Sequence, residues 1–164
     1  MKKLILLVLA FAPLTVFAQK FGVINQNEIV QAMPEFTAAQ NELQKQGQQF
    51  DDELKRMQDE LQKKAEAFDK EQATLPDAIK TRRQNELQEM YQKIQQYAQD
   101  AQTQIQQLQQ EKMAALSDKI QKATDEVGNA GGYVAIFMEG SMPFISKTAC
   151  TDVTSQVKAK LGIK

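Results

Sequence analysis

The pattern that most restricts this chain lies between positions 36 and 75. Phe36, Leu43, Phe50 and Met57 are spaced by seven, and Leu54, Leu61, Phe68 and Leu75 by seven in a second register. Together the two rows alternate by four and three, as a and d positions of a coiled coil do. Gln40, Gly47, Lys64 and Glu71 fall on the same seam, so the coil is imperfect. Gly47 alone costs about 1 kcal/mol relative to Ala inside a helix. Leu75-Pro76-Asp77 breaks the run, because the residue before a proline is pushed out of helical geometry and Pro or Asp can open the next helix. A second helix is expected from Asp77 to about Val127. Its seam runs through Leu87, Met90, Ile94, Tyr97, Ala101 and Leu108 to Leu116, Ile120, Ala123 and Val127, with Gly128-Asn129 as the stop. Two such helices joined tightly make an antiparallel hairpin about 60 Å long at 1.5 Å per residue.

Composition agrees with that shape. The chain has 164 residues, and 25 are Gln, most of them between positions 40 and 110. Gly and Pro are scarce there, as in a long helix. No other long apolar element exists to cover the hairpin, so it must project as an arm.

The flanks read differently. Lys20-Phe21-Gly22-Val23-Ile24-Asn25 suits a short strand. Asn25 can cap a helix over 26–33, with Glu28 at capping-box spacing, and Pro34 suits the first position of the next helix. After a loop at Gly128–Gly132, Tyr133 to Met138 is apolar and β-prone. Glu139-Gly140-Ser141 is a turn, and Pro143 to Thr148 is a second strand candidate. Thr154 or Asp152 can cap a last short helix with Val157 and Leu161 on one face and Gly162 at its end.

The expected fold class is α+β, mainly helical: a long antiparallel hairpin projecting from a small β body. A hairpin returns its second end to its first, so the flanking strands must meet at its base. The body comprises 19–33 and 128–164, the arm 34–127, with its turn near 74–77. Three short strands and two short helices leave exposed sheet edges and little core. Self-association would complete the body, and Phe21, Val23, Val134, Ile136 and Met138 are the expected oligomerisation residues.

The first segment reads as an address. Met1-Lys2-Lys3 is basic, Leu4 to Val16 is an apolar run broken only by Pro13 and Thr15, and Val16-Phe17-Ala18 suits cleavage before Gln19. The run is shorter than the roughly 18–20 residues that span a bilayer, and no Cys follows it for lipid attachment. Residues 1–18 are therefore expected to be a cleaved signal peptide. The remaining chain has 18 Lys+Arg against 21 Asp+Glu.

Several chemistries are excluded or weak. Without His there is no His base, His metal ligand or Ser-His-Asp triad. One Cys allows no intrachain disulfide and no Cys-cluster zinc site, and Cys150 is expected to be buried as a small apolar residue rather than a free thiol. Ser155-Gln-Val-Lys158 matches an S-x-x-K nucleophile motif, but its companion motifs are missing. Gly128-Asn-Ala-Gly131-Gly132 lacks the Lys and the strand-loop-helix context of a phosphate loop. Asp51-Asp52 is a solvated pair. No catalytic residue, metal site or cofactor is expected, and without a basic stripe no nucleic-acid partner. Tyr91, Ala98 and Ile105, spaced by seven, form a second apolar stripe. It is either a widened buried stripe, as packed helices often have, or apolar surface left for a client.

The order of these segments resembles the Skp/OmpH family of periplasmic chaperones over the whole mature chain. The resemblance rests on the leader, the strand Phe21-Gly-Val-Ile-Asn25, the hairpin, the strand Tyr133-Val-Ala-Ile-Phe137 and the ending Thr151-Asp-Val-Thr154 through Val157-Lys-Ala-Lys-Leu161. It implies a homotrimer with a shared β-barrel body, three arms around a cavity, and ATP-independent holding of unfolded outer-membrane proteins in the periplasm. Familiar members are strongly basic, whereas this chain has a sequence pI near 5.6, and its hairpin tip around Lys70, Lys80, Arg82 and Arg83 is only weakly positive. The implied contact with acidic membrane surfaces is therefore expected to be weak. The rival reading is a structural or adaptor hairpin of an envelope complex, but such hairpins are usually set between much larger β domains.

Overall fold

The computed structural model describes residues 19–163; the expected leader, 1–18, lies outside them. Seven elements follow in order: β1 (Lys20–Ile24), α1 (Gln26–Ala32), α2 (Pro34–Glu71), α3 (Asp77–Gly131), β2 (Tyr133–Met138), β3 (Cys150–Asp152) and α4 (Thr154–Lys160).

Pro34 opens α2 at its first turn beside Glu35, where a fixed φ and a negative charge both suit a helix start. α2 has 38 residues, about 57 Å at the α-helical rise. It ends at Gln72, four residues turn the chain, and Pro76 precedes α3. The antiparallel register is marked by ion pairs between the helices. Lys119 Nζ lies 2.8 Å from Glu35 and Lys112 Nζ 2.9 Å from Glu42, so seven residues along one helix match seven back along the other. Lys64, a seam position that looked like a defect, pairs with Glu86 of α3. Phe50 meets Tyr97 edge to face, with ring centroids 6.1 Å apart.

The two helices differ in period. α2 keeps its heptads. On α3 the buried and half-buried positions Ile94, Tyr97, Ala101, Ile105, Leu108, Lys112 and Leu116 step by 3-4-4-3-4-4, an eleven-residue repeat close to the turn of a straight helix. Ile105 therefore belongs to the sequence of inward positions.

At the base, β1 is the central strand of a three-stranded sheet in the order β2-β1-β3, parallel to both neighbours. The Val153 N–H donates to Val23 O at 2.9 Å and the Glu139 N–H to Ile24 O at 2.8 Å, closing both ladders. One face of this sheet meets the helices. Ile24, Ile29, Val30 and Met33 pack there with Leu116, Ile120, Ala123 and Val127 of α3 and with Val153 and Val157.

α1 begins as expected: Asn25 Oδ1 accepts from the Glu28 N–H at 3.0 Å. The reciprocal half of the capping box is replaced. The Asn25 N–H donates to Thr154 Oγ1 at 2.9 Å, and the Glu28 carboxylate takes Lys158 Nζ at 2.6 Å. Both bonds tie α1 to α4, sequence-distant elements that share the core.

Three expectations are corrected. The segment Pro143 to Thr148 forms no strand; the third strand is Cys150–Asp152, because its backbone, not that of 143–148, lies beside β1. α3 does not stop at Gly128-Asn129 but runs to Gly131, and Gly132 takes the left-handed conformation (φ 66°) that ends it. A side chain at Gly131 would meet the Tyr133 ring at 2.5 Å, so the chain turns from helix to strand only with glycine there. Neither Thr154 nor Asp152 is the N-cap of α4; Val153 is, while Asp152 Oδ1 accepts from the Thr154 N–H at 2.9 Å.

Candidate functional site

No deep pocket dominates this molecule; its candidate surfaces are the flanks of the arm and the uncovered side of the sheet. The arm is thinly packed. Ala39 and Phe68 are the buried residues of α2, whereas the remaining seam side chains, such as Leu43, Leu54 and Leu61, are half-buried. Apolar surface is therefore spread along a wet rod instead of gathered in one core.

The stripe on α3 divides. Tyr91 stands out from the arm, 52% exposed. Ala98 and Ile105 are half-buried and line a groove of about 410 Å³ between the helices, with Phe50, Leu54 and Tyr97. Gly47 opens this groove: a Cβ there would meet nothing within 4 Å. The sequence signal for it was Gly47 on the seam, opposite small residues on α3. Burial, followed by the nearby Glu53 carboxylate, pushes the Tyr97 phenol up.

The expected oligomerisation residues also divide. Phe21 and Val23 lie half-exposed on the sheet face away from the helices, and Phe21 stacks on Phe137 at 6.1 Å. Val134 (62%) and Met138 (47%) are exposed along edge strand β2. Ile136 points the other way. It packs against the core, and a Cβ on Gly22 would approach its Cγ1 at 3.0 Å. Sequence reasoning overlooked Phe144, which is 81% exposed in the loop between β2 and β3; its period-2 context had suggested a strand. Beside that loop, Val23, Met142, Ile145, Cys150 and Glu139 line a cavity of about 320 Å³. Cys150 is half-buried there, not fully enclosed. The Thr154 hydroxyl and N–H hold the Asp152 carboxyl below its ordinary range.

At the arm's tip Lys64, Arg82, Arg83 and Glu86 rim a shallow cavity. The Lys64 ammonium, chiefly by its hydrogen bond, holds Glu86 below the usual carboxylate range. In α4, Ser155 is exposed and Lys158 is engaged by Glu28. Among the described residues, no group of three or more His, Cys, Asp or Glu could hold a metal ion, and no helix is long and apolar enough to cross a membrane.

Residues 20–161 match the family model described as outer membrane protein (OmpH-like). Among solved structures, a protein from Caulobacter crescentus described as a candidate outer membrane chaperone (OmpH-like) superposes with a TM-score of 0.75. It is 17% identical, and the match covers 87% of this chain and 83% of that one. At that identity the likeness is one of fold. No curated protein matches this chain.

Proposed function

The chain belongs to the OmpH-like family, a family of chaperones and not of enzymes, and on that premise we propose that it holds unfolded outer-membrane proteins in the periplasm without ATP. The supporting observation is the arm itself: a rod about 57 Å long whose apolar seam stays half-exposed along most of its length. Unfolded barrel strands alternate apolar and polar residues. They need many shallow contacts in wet surroundings, which this surface supplies.

The body supports a homotrimer in this reading. Both edge strands lack an outer partner within the chain, and Val134, Met138 and Phe144 are large apolar side chains left in solvent. Unpaired edges of this kind invite another chain, and three arms on one body multiply weak contacts to one client. Export with loss of residues 1–18 completes the proposal, motivated by the basic start, the short apolar run and Val16-Phe17-Ala18; intact mass of the periplasmic form checks it.

The deciding experiment is native mass spectrometry of the purified mature protein, alone and with a urea-unfolded outer-membrane barrel protein. A trimer that takes up one client and suppresses its aggregation at equal trimer concentration is expected. A folded monomer would overturn the assembly. Failure to suppress aggregation of any barrel protein would overturn the holding activity and raise the adaptor reading.

A further inference from the structure

Charge is unevenly distributed along the arm. Its shaft, residues 34–62 and 84–131, carries 7 Lys+Arg against 14 Asp+Glu, whereas the tip, 63–83, carries 6 against 4. Much of the shaft's positive charge is already engaged: Lys112 by Glu42, Lys119 by Glu35, Lys122 by Asp118, and Arg56 by Glu53 and Glu60. Asp51, Asp52, Asp59 and Glu89 are exposed and make no ion pair among the described residues. The mid-arm groove lies within this acidic shaft. Its walls are Phe50, Leu54, Tyr97, Ala98 and Ile105, and Asp51 stands at its edge.

We infer that the Gly47 groove is a docking site for unfolded-chain segments in which an apolar side chain is flanked by Lys or Arg. This rests on the holding function proposed above and specifies which segments are held first. Two independent features select the occupant. The groove, about 410 Å³, is roomy enough for an aromatic ring, since engineered apolar cavities of roughly 150 Å³ accept benzene. The unpaired carboxylates around it attract cations and repel acidic segments, and charge complementarity of this kind acts on capture rate and on choice of partner. An acidic segment meets the same apolar walls with an opposing field.

The test uses the full mature protein and two dye-labelled 12-residue peptides, one alternating Phe and Lys, the other Phe and Glu, followed by fluorescence anisotropy. At low salt the Phe/Lys peptide should bind at least tenfold more tightly. The preference should shrink severalfold at 1 M salt, where the screening length falls to about 3 Å. Gly47→Leu should fill the groove and weaken Phe/Lys binding at least fivefold. Helix content should be unchanged or raised, since leucine favours helix over glycine and the position is open. Asp51→Asn should reduce the preference between peptides while leaving melting unchanged. Equal binding of the two peptides, or undiminished binding by Gly47→Leu, overturns the inference. So does the absence of peptide binding in a protein that still holds an unfolded barrel protein. If the barrel protein is not held either, the holding function itself falls.

Discussion

The body and the arm bury their apolar residues to different depths. Ile29, Val153 and Val157 are wholly enclosed at the base, in a cluster to which five elements contribute. Along the shaft, the seam is half-buried and the two helices are held in register by exposed ion pairs such as Lys112 with Glu42. Burial of a whole side chain is worth about 1.5–3 kcal/mol and an exposed ion pair under about 1. The body therefore fixes the structure, while the arm keeps its shape with little enthalpy to lose when a client touches it. A chain needs rigidity where copies meet and a renewable, loosely committed surface where it grips.

The largest effect that would break this contrast lies on the body's outer edge. Val134→Glu with Met138→Glu should abolish the trimer, seen as loss of the threefold mass, yet leave the helical signal intact because both side chains are exposed in the chain. Trimers surviving this double change would move the interface elsewhere. Ile136→Asp, by contrast, buries a charge against the chain's own core and tests folding rather than assembly.

Next comes the comparison of cores. Ile29→Ala should lower stability by about 2–5 kcal/mol in urea unfolding, the usual range for a fully buried large-to-small change. Leu61→Ala, half-buried in the arm, should cost less than about 2 kcal/mol on the same scale. Equal losses would mean that arm and body form one cooperative unit of even depth.

Within the arm, Tyr91→Ser should change stability by less than about 0.5 kcal/mol, as exposed substitutions do, and Ile105→Ser by more, because Ile105 faces the groove. Both should weaken holding of an unfolded barrel protein. If only Ile105→Ser does so, through a fall in melting temperature, the stripe is packing.

The smallest effect is on pH. The Glu35 and Glu86 carboxyls are held below their ordinary value of 4.5 by hydrogen bonds from Lys119 and Lys64. A depressed folded value means that the stabilisation is complete above the ordinary value and is lost as pH falls through the folded one. Arm melting followed by circular dichroism should therefore be flat above pH 5 and decline below about pH 4.5, slightly, since both pairs are exposed.

Much of the arm was legible, because a coiled seam is local: seven-residue spacing, a Pro break and Gln-rich flanks all report on neighbours in sequence. β1 and β2 were legible for the same reason. β3 was not, since Cys150-Thr151-Asp152 carries little β signal of its own and is a strand only because Phe21, Gly22 and Val23 lie beside it. Apolar Phe144-Ile145 suggested a strand but has no partner within the chain. Gly128 looked like a helix stop, yet Val127 is drawn into the core and the helix continues to the glycine pair 131–132. The groove was half visible: Gly47 was noticed as a weak seam position, but its apposition to Ala98 and Ala101 depends on interhelical register, which the a/d pattern alone does not set.

The central place of β1 also governs the order in which the chain can become structured. This strand is made of the first described residues, and both of its neighbours come from beyond residue 132. Emerging amino end first, it waits, unpaired, while more than a hundred residues follow. The hairpin, built from helical turns that close within microseconds, can form in the meantime and carry the distant end back to the waiting strand. The arm is then a jig for its own base, and a chain interrupted before Tyr133 would display a folded rod with an open strand at its foot.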